Sequence, residues 1–403
     1  MEHHFIKGKD IVLFSSQSWE SKIGSNFIDM AHELALFNRV LFVNRASDRA
    51  TMISEKTKEN FSDEAAYKSE GLIKIKDNFW VFNTGLVLES INWISWDWLY
   101  DQINKRNNRK LSKKTNEAIT QLGFKDVILI NDNDFFRGLY LKEMIPSCKK
   151  YIFYIRDFLT IQPYFKKHGS RLEKKMIETA DLVVANSAYL AKHAKQWNSR
   201  SYDIGQGCDF KAYLSQNLET PEDISDLPKP IIGYCGAISA MRLDAGIIEE
   251  IAKSFPEYSI ALVGPVDSFF EKSDLKNYKN VYFLGGKSPE TVPNYIASFD
   301  ICINPQAINL LTIGNYPRKI DEYLAMGKPI VATRTDGMAM FKDHVFLCDN
   351  KEGYVKMINT ILLDKNNFSE EEKKRRINFA LLHTWENSIG LLGDAYHDSE
   401  KLN

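Results

Sequence analysis

The sequence predicts an α/β chain of two doubly wound domains facing each other across a cleft. Three observations predict it. The chain has 403 residues, too many for one small hydrophobic core and a natural length for two. Short apolar runs alternate with stretches of helical periodicity, and they do so in two successive sets, as parallel sheets covered on both faces require. Between the sets lies a polar stretch, 214–230, that carries Pro221, Pro228 and Pro230 and reads as a linker.

The first set opens with a strand at 11–14. A helix follows at about 25–37, with Phe27, Met30, Ala31, Leu34 and Ala35 on one face. Further strands are expected at 39–43, 80–83, 127–130, 151–155 and 182–185, with 46–75 as a long loop or small insertion. The second set places strands at 231–235, 260–263, 281–284, 301–303, 330–332 and 345–347. Helices are expected at 244–255, 289–298, 317–326 and 351–363. The tail 369–400 reads as helical throughout, with the charged run 370–376 as a solvated face. In open sheets of this kind, ligands bind beyond the carboxyl ends of the strands, so the residues just after each strand are the ones to weigh.

Composition excludes several classes. Lys plus Arg number 52 and Asp plus Glu 53, a net charge of −1, which does not fit a general nucleic-acid binder. The five cysteines show no metal-ligand spacing, and they read as free thiols of a reducing cytosol. No secretory signal and no membrane-spanning run is visible, so a cytoplasmic protein is expected. The sequence has no serine-hydrolase elbow, phosphate-binding Walker loop or zinc-protease motif. Asp132-Asn133-Asp134 after a strand could hold a metal, but Asp and Asn also favour turns for backbone reasons, and the expectation is no metal and no cofactor. His168, near a helix start, reads as structural or as a residue approaching the cleft.

The most informative stretch is 301–333. A strand ends at Asn304-Pro305, a loop with Thr312, Gly314, Asn315 and Tyr316 follows, and Pro317 suits a first helical turn. Lys319 and Glu322, three apart, share a helix face. A helix N-terminus and a lysine attract phosphates, and a carboxylate accepts ribose hydroxyls. An ion pair on a surface helix would give the same spacing.

The string Pro317-x-Lys319-x-x-Glu322-Tyr323-x-Ala325-x-Gly327-Lys328-Pro329-Ile330-Val331 resembles the donor-site signature of GT-B glycosyltransferases. It is most similar to the retaining family four, and within it to the branch of bacterial surface-polysaccharide, capsule and teichuronic-acid assembly. Residues 231–239, with Gly236 and Ser239, resemble the first strand and glycine loop of that family's nucleotide-binding domain, and Arg242 is the basic residue expected to follow. Gly264-Pro265 and Gly285-Gly286 resemble the ends of its second and third strands, and 204–209 and 380–385 its interdomain and C-terminal strings.

The resemblance implies two Rossmann-like domains: 1–205, joined by a returning C-terminal helix at about 385–403, and 206–384. It implies a nucleotide-diphosphate sugar, UDP- or GDP-linked, on the second domain. Its contacts would be Lys319, Arg242, Gly236, Ser239, Gly264, Pro265, Gly285, Gly286, Thr312, Asn315, Tyr316 and Glu322. The implied reaction is metal-independent, retaining transfer to a saccharide or lipid-linked hydroxyl held by the first domain. The loop with Trp19 and Gly24 would lie on that acceptor side; Asp132, Arg156 and Asp157 stand just after strands and, by the strand-end rule rather than the resemblance, would line the same cleft, Asp157 binding or deprotonating the acceptor. One departure stands out: the first of two family glutamates would fall at Gly314. A nucleotide-sugar 2-epimerase of the same fold, or an inactive assembly module, are the alternatives. Finally, Trp93, Trp96, Trp98 and Tyr100 precede Lys105, Arg106, Arg109, Lys110, Lys113 and Lys114. Such a cluster suits either an anionic membrane at the inner face of the cell or a core cluster beside a solvated helix.

Overall fold

The computed structural model describes residues 3–19, 26–50, 70–215 and 217–401. The chain divides into two compact units, Met1–Gly205 together with Trp385–Asn403, and Gln206–Thr384.

The first unit carries strands β1 (Asp10–Ser15), β2 (Arg39–Val43), β3 (Ser47–Asp48), β4 (Gly71–Lys76), β5 (Phe79–Asn83), β6 (Val87–Leu88), β7 (Val127–Asp132), β8 (Cys148–Ile155), β9 (Leu182–Ala185) and β10 (Ser201–Asp203). Eight form one sheet in the order β10-β9-β8-β7-β1-β2-β5-β4, and β3 pairs with β6 apart from it. All the pairings are parallel except β4 with β5. Alternation along β1 feeds both faces. Val12 and Phe14 join a core with Tyr100, Leu111 and Ile119 of the helix Asp97–Gln121. Ile11 and Leu13 join Phe27, Met30 and Leu34 of the helix Asn26–Leu34. The C-terminal helix Trp385–Lys401 also packs in this second core, through Trp385, Ile389, Leu392 and Tyr396. The expected loop at 46–75 has strands at both ends, β3 and β4, while 51–69 lies outside the described residues. β4 escaped the sequence reading because Lys74 and Lys76 interrupt its apolar residues on a half-exposed edge.

The second unit carries β11 (Ile231–Cys235), β12 (Ser259–Val263), β13 (Val281–Gly285), β14 (Ile301–Asn304), β15 (Ile330–Thr333) and β16 (Phe346–Cys348), in the order β13-β12-β11-β14-β15-β16. Every pairing is parallel. Strand order reverses direction between β11 and β14, which makes their carboxyl ends the switch point where ligands bind in such sheets. The helices Ala245–Ser254 and Lys351–Leu363 cover one face, and Val292–Ser298 and Lys319–Ala325 the other.

Two expectations change here. The stretch 214–230 is not a free linker: Ile224 is buried in the second unit's core, and Asp223 accepts the Tyr295 hydroxyl at 2.7 Å. The tail is not one helix, because Glu370–Ala380 and Trp385–Lys401 are separated by a break where the His383 carbonyl accepts the Cys208 N–H. Nor is the charged run wholly solvated, since Arg376 is buried and donates to the carbonyls of Gly327 and Asn367, each at 2.9 Å.

Candidate functional site

Strands β11, β12 and β13 end side by side, and a glycine stands at each end: Gly236, Gly264 and Gly285. The Gly236 N–H donates to the Val263 carbonyl at 2.9 Å and the Gly264 N–H to the Gly285 carbonyl at 2.8 Å. Gly236 (φ 140°) and Gly264 (φ 145°) hold backbone that L residues rarely adopt. A Cβ on Gly264 would lie 1.9 Å from the Gly236 carbonyl oxygen, and one on Gly236 would lie 2.5 Å from the Lys319 ammonium. The loops beyond the strands are laced together, Ile238 N–H to Pro265 carbonyl at 2.9 Å and Ala240 N–H to the Asp267 carboxylate at 2.8 Å. Pro265 and Gly286 are exposed at their tips, while Ser239 is half-buried and its carbonyl takes the N–H groups of Arg242 and Leu243. The Arg242 side chain is exposed, with no carboxylate partner among the described residues.

The helix Lys319–Ala325 is fixed against these strand ends by Tyr323, whose hydroxyl accepts the Cys235 N–H at 2.7 Å. One turn earlier, that anchor aims Lys319 at the end of β11. The Lys319 ammonium lies 4.0 Å from the centroid of the Tyr234 ring and donates to the Tyr234 hydroxyl. It has no carboxylate partner among the described residues. Tyr234 was not anticipated, although it stands on β11 two residues before Gly236.

Two details of the expected phosphate site differ. The N–H groups of Ile320, Asp321 and Glu322 are taken by the carbonyls of Pro317 and Arg318 at 2.9–3.2 Å, so the anion attraction here rests on the Lys319 charge and not on a free helix end. Glu322 pairs with Arg318 at 3.0 Å and not with Lys319. The Tyr213 phenol also bonds Glu322, and burial, with that carboxylate second, raises the phenol well above its ordinary value.

Thr312 and Tyr316 prove to be structural. The Thr312 hydroxyl is buried and donates to the Ala307 and Asn309 carbonyls, closing its own loop. Tyr316 is buried against Phe341, and its hydroxyl donates to Asp321 at 2.6 Å. The fully buried Asp321 also bonds the His383 ring at 2.7 Å. Burial raises the Asp321 carboxyl, against the pull of His383 and Tyr316. Asn315 is half-buried, and its N–H donates to the Thr312 carbonyl at 3.2 Å.

In the first unit, Asp132 is not open to an acceptor, and the half-buried Arg156 is committed to it. Asp132 is wholly buried, gripped by both guanidinium arms of Arg156 and by the Ser15 hydroxyl at 2.9 Å. Asp134 is likewise held by Arg137 at 2.7 Å, so the Asp-Asn-Asp string is spent on arginine pairs and a turn at Asn133 (φ 54°). Trp19 packs against Phe42, Phe79 and His32, with centroids 5.2–5.4 Å apart. His168 is buried, stacked on Tyr100 at 3.9 Å and bonded to the Ile94 carbonyl. Asp157 is half-buried and its carboxylate has no hydrogen-bond partner among the described residues. Gly24 lies outside the described residues. No group of three or more His, Cys, Asp or Glu among the described residues could hold a metal.

Residues 229–364, which contain every strand end described above for the second unit, match the family model described as glycosyl transferases group 1. TuaH of Bacillus subtilis, assigned as a teichuronic acid biosynthesis glycosyltransferase, is 26% identical over 225 residues. That match spans 53% of this chain and 56% of TuaH, about half the length of each. HepE of Anabaena, solved in complex with UDP, superposes with a TM-score of 0.64 at 17% identity, over 98% of this chain and 99% of that one. A glycosyltransferase from Rickettsia africae superposes with a TM-score of 0.65 at 16% identity, over 99% of this chain and 100% of that one. The fold is GT-B. Both GT-B units are thus accounted for, although at these identities the superpositions speak for the fold alone.

Proposed function

We propose that this chain is a glycosyltransferase of surface-polysaccharide assembly. Its second unit would bind a nucleotide-diphosphate sugar at the glycine-lined ends of β11–β13, and the sugar would pass to a saccharide or lipid-linked hydroxyl carried by the first unit. The observation that carries the reading is Lys319: a half-buried cation without a carboxylate, held over backbone that comes close because Gly236 and Gly264 have no side chains. When the bond from sugar to diphosphate breaks, negative charge grows on the departing phosphate. A fixed ammonium at that point stabilises it more than it stabilises the intact donor. Arg242, exposed and uncommitted, would supply a second charge. Glu322, held by Arg318 and Tyr213, would accept the ribose hydroxyls.

In the retaining course implied by the family-four resemblance, the acceptor's proton goes to the departing phosphate oxygen. Asp157 would then orient the acceptor. No metal or organic cofactor enters this scheme. UDP is the favoured nucleotide, because HepE is solved with UDP and with UDP-glucose.

A second reading has its own support. Gly314 stands where the family's first glutamate falls, and a chain that binds nucleotide without transferring sugar would be an assembly module. The epimerase alternative needs a histidine and carboxylates at the donor, whereas His383 and Asp321 are bonded to each other.

The test is a thermal-shift panel of UDP, GDP, ADP and CMP with their sugars, on wild type and Glu322→Ala, followed by product analysis with acceptor extract. UDP at about 100 times its dissociation constant should stabilise wild type by about 2.7 kcal/mol, a rise of several degrees, and the variant much less. A flat panel sinks the donor site; stabilisation without product favours the assembly module.

A further inference from the structure

The helix Asp97–Gln121 and the loop before it form a surface that sugar transfer does not explain. Trp93, Trp96 and Trp98 are 75%, 75% and 73% exposed, so they do not form the core cluster that the sequence also allowed. Their exposure is built in: the Trp93 indole N–H donates to the Ser90 carbonyl at 2.8 Å, and Lys167 donates to the Trp93 carbonyl at 2.8 Å. Tyr164, 62% exposed, borders them, since its carbonyl accepts from Asn92 at 2.7 Å.

Along the helix, Trp98, Gln102, the adjacent pair Lys105 and Arg106, Arg109 and Lys113 follow at intervals of three or four residues and are all exposed. They make one stripe, about 22 Å long. None of its four cations has an acidic partner among the described residues, although the neighbouring Lys114 pairs with Glu70 and Glu117. Three exposed indoles beside four cations without an acidic partner among the described residues are unusual for a soluble surface in a chain of net charge −1; of the four, Lys105 also lies over the Tyr140 ring, 5.6 Å from its centroid.

We propose that this face docks on an anionic lipid bilayer, with the three indoles in the headgroup layer and the stripe along the lipid phosphates. Tryptophan favours that layer because its ring is apolar and its N–H is polar, and each lysine or arginine near an anionic leaflet adds attraction. The charge complementarity, with Trp98 at the end of the stripe and the exposed Trp93 and Trp96 just before it in the chain, fits a bilayer better than a protein groove, which would bury indoles but leave the cations unanswered. The proposal does not depend on the transfer reading.

The experiment uses the full chain with vesicles of phosphatidylcholine alone or with about 30 mol % phosphatidylglycerol. Sedimentation with the anionic vesicles only, and a blue shift of tryptophan emission, are expected. The triple variant Trp93→Ser, Trp96→Ser, Trp98→Ser and the charge reversal Lys105→Glu, Arg106→Glu, Arg109→Glu, Lys113→Glu should each lower partitioning at least about tenfold. Both should keep wild-type circular dichroism and any thermal shift by UDP, because all the changed residues are exposed and lie in the first unit. Wild type that ignores anionic vesicles, variants that bind as well as wild type, or tighter binding to single-stranded RNA than to vesicles would each overturn the proposal. Vesicle binding with a flat nucleotide panel would leave it standing while the donor-site reading falls.

Discussion

Lys319→Met removes one charge and keeps the length of the side chain. In the free protein the ammonium sits on the Tyr234 ring and bonds its hydroxyl, a partly exposed arrangement worth about 0.5–1 kcal/mol. Loss of that contact should lower the stability of the second unit by no more than this. A charge-assisted hydrogen bond to phosphate is worth about 1.5–3 kcal/mol, and the contact surrendered to Tyr234 offsets part of it. The net of about 1–2 kcal/mol corresponds to a roughly 5- to 30-fold weaker UDP complex. Titration calorimetry with UDP and with uridine makes the result specific. Uridine has no phosphate, so its affinity should not move. Glu322→Ala should show the opposite signature, with UDP and uridine weakened together through the ribose. If Lys319→Met weakens uridine as much as UDP, the lysine shapes the pocket and does not meet the phosphate. If neither ligand responds, the donor site lies elsewhere and the reasoning from the unpaired cation fails.

Two further predictions concern groups outside that contact. Burial raises Glu173 from 4.5 to about 7, with the Thr160 hydroxyl opposing. A raised carboxyl favours the fold when protonated, so stability is full below pH 4.5, falls as pH rises towards 7, and then levels, by at most about 3 kcal/mol. Glu173→Gln should therefore gain on wild type between pH 5 and pH 8 in urea midpoint; a difference independent of pH would refute the burial argument. Tyr316→Phe removes the bond to Asp321 and should cost about 1–3 kcal/mol of stability with UDP affinity unchanged. A selective loss of UDP binding would restore Tyr316 to the donor site.

The strands of the second unit were legible because β11, β12, β14 and β15 are buried on both faces and read as unbroken apolar runs. The helix Asp97–Gln121 was less so: Asn104, Asn107, Asn108, Ser112 and Thr115 are all buried, and its apolar period is blurred. At the candidate site, Lys319 and Glu322 could be singled out from their local spacing and the glycines from the resemblance of 231–239, 264–265 and 285–286, whereas the meeting of Lys319 with Tyr234, 85 residues away, could not. The Asp321–His383 bond spans 62 residues and joins the helix Lys319–Ala325 to the break before the last helix, so no window of sequence contains it. Asp132 and Arg156 stand at strand ends as the rule requires, but the rule does not say whether a charge faces solvent or a countercharge. Here each found the other.

The C-terminal helix gives the chain an order of manufacture. A ribosome delivers Met1–Gly205, then all of Gln206–Thr384, and only then Trp385, Ile389, Leu392 and Tyr396, which complete a core begun by Ile11 and Phe27. The second unit therefore has all its residues before the first can close. Until the last helix emerges, the apolar face that it covers has to be kept from other partners, so a nascent chain stalled near residue 384 should depend on chaperones far more than the finished one.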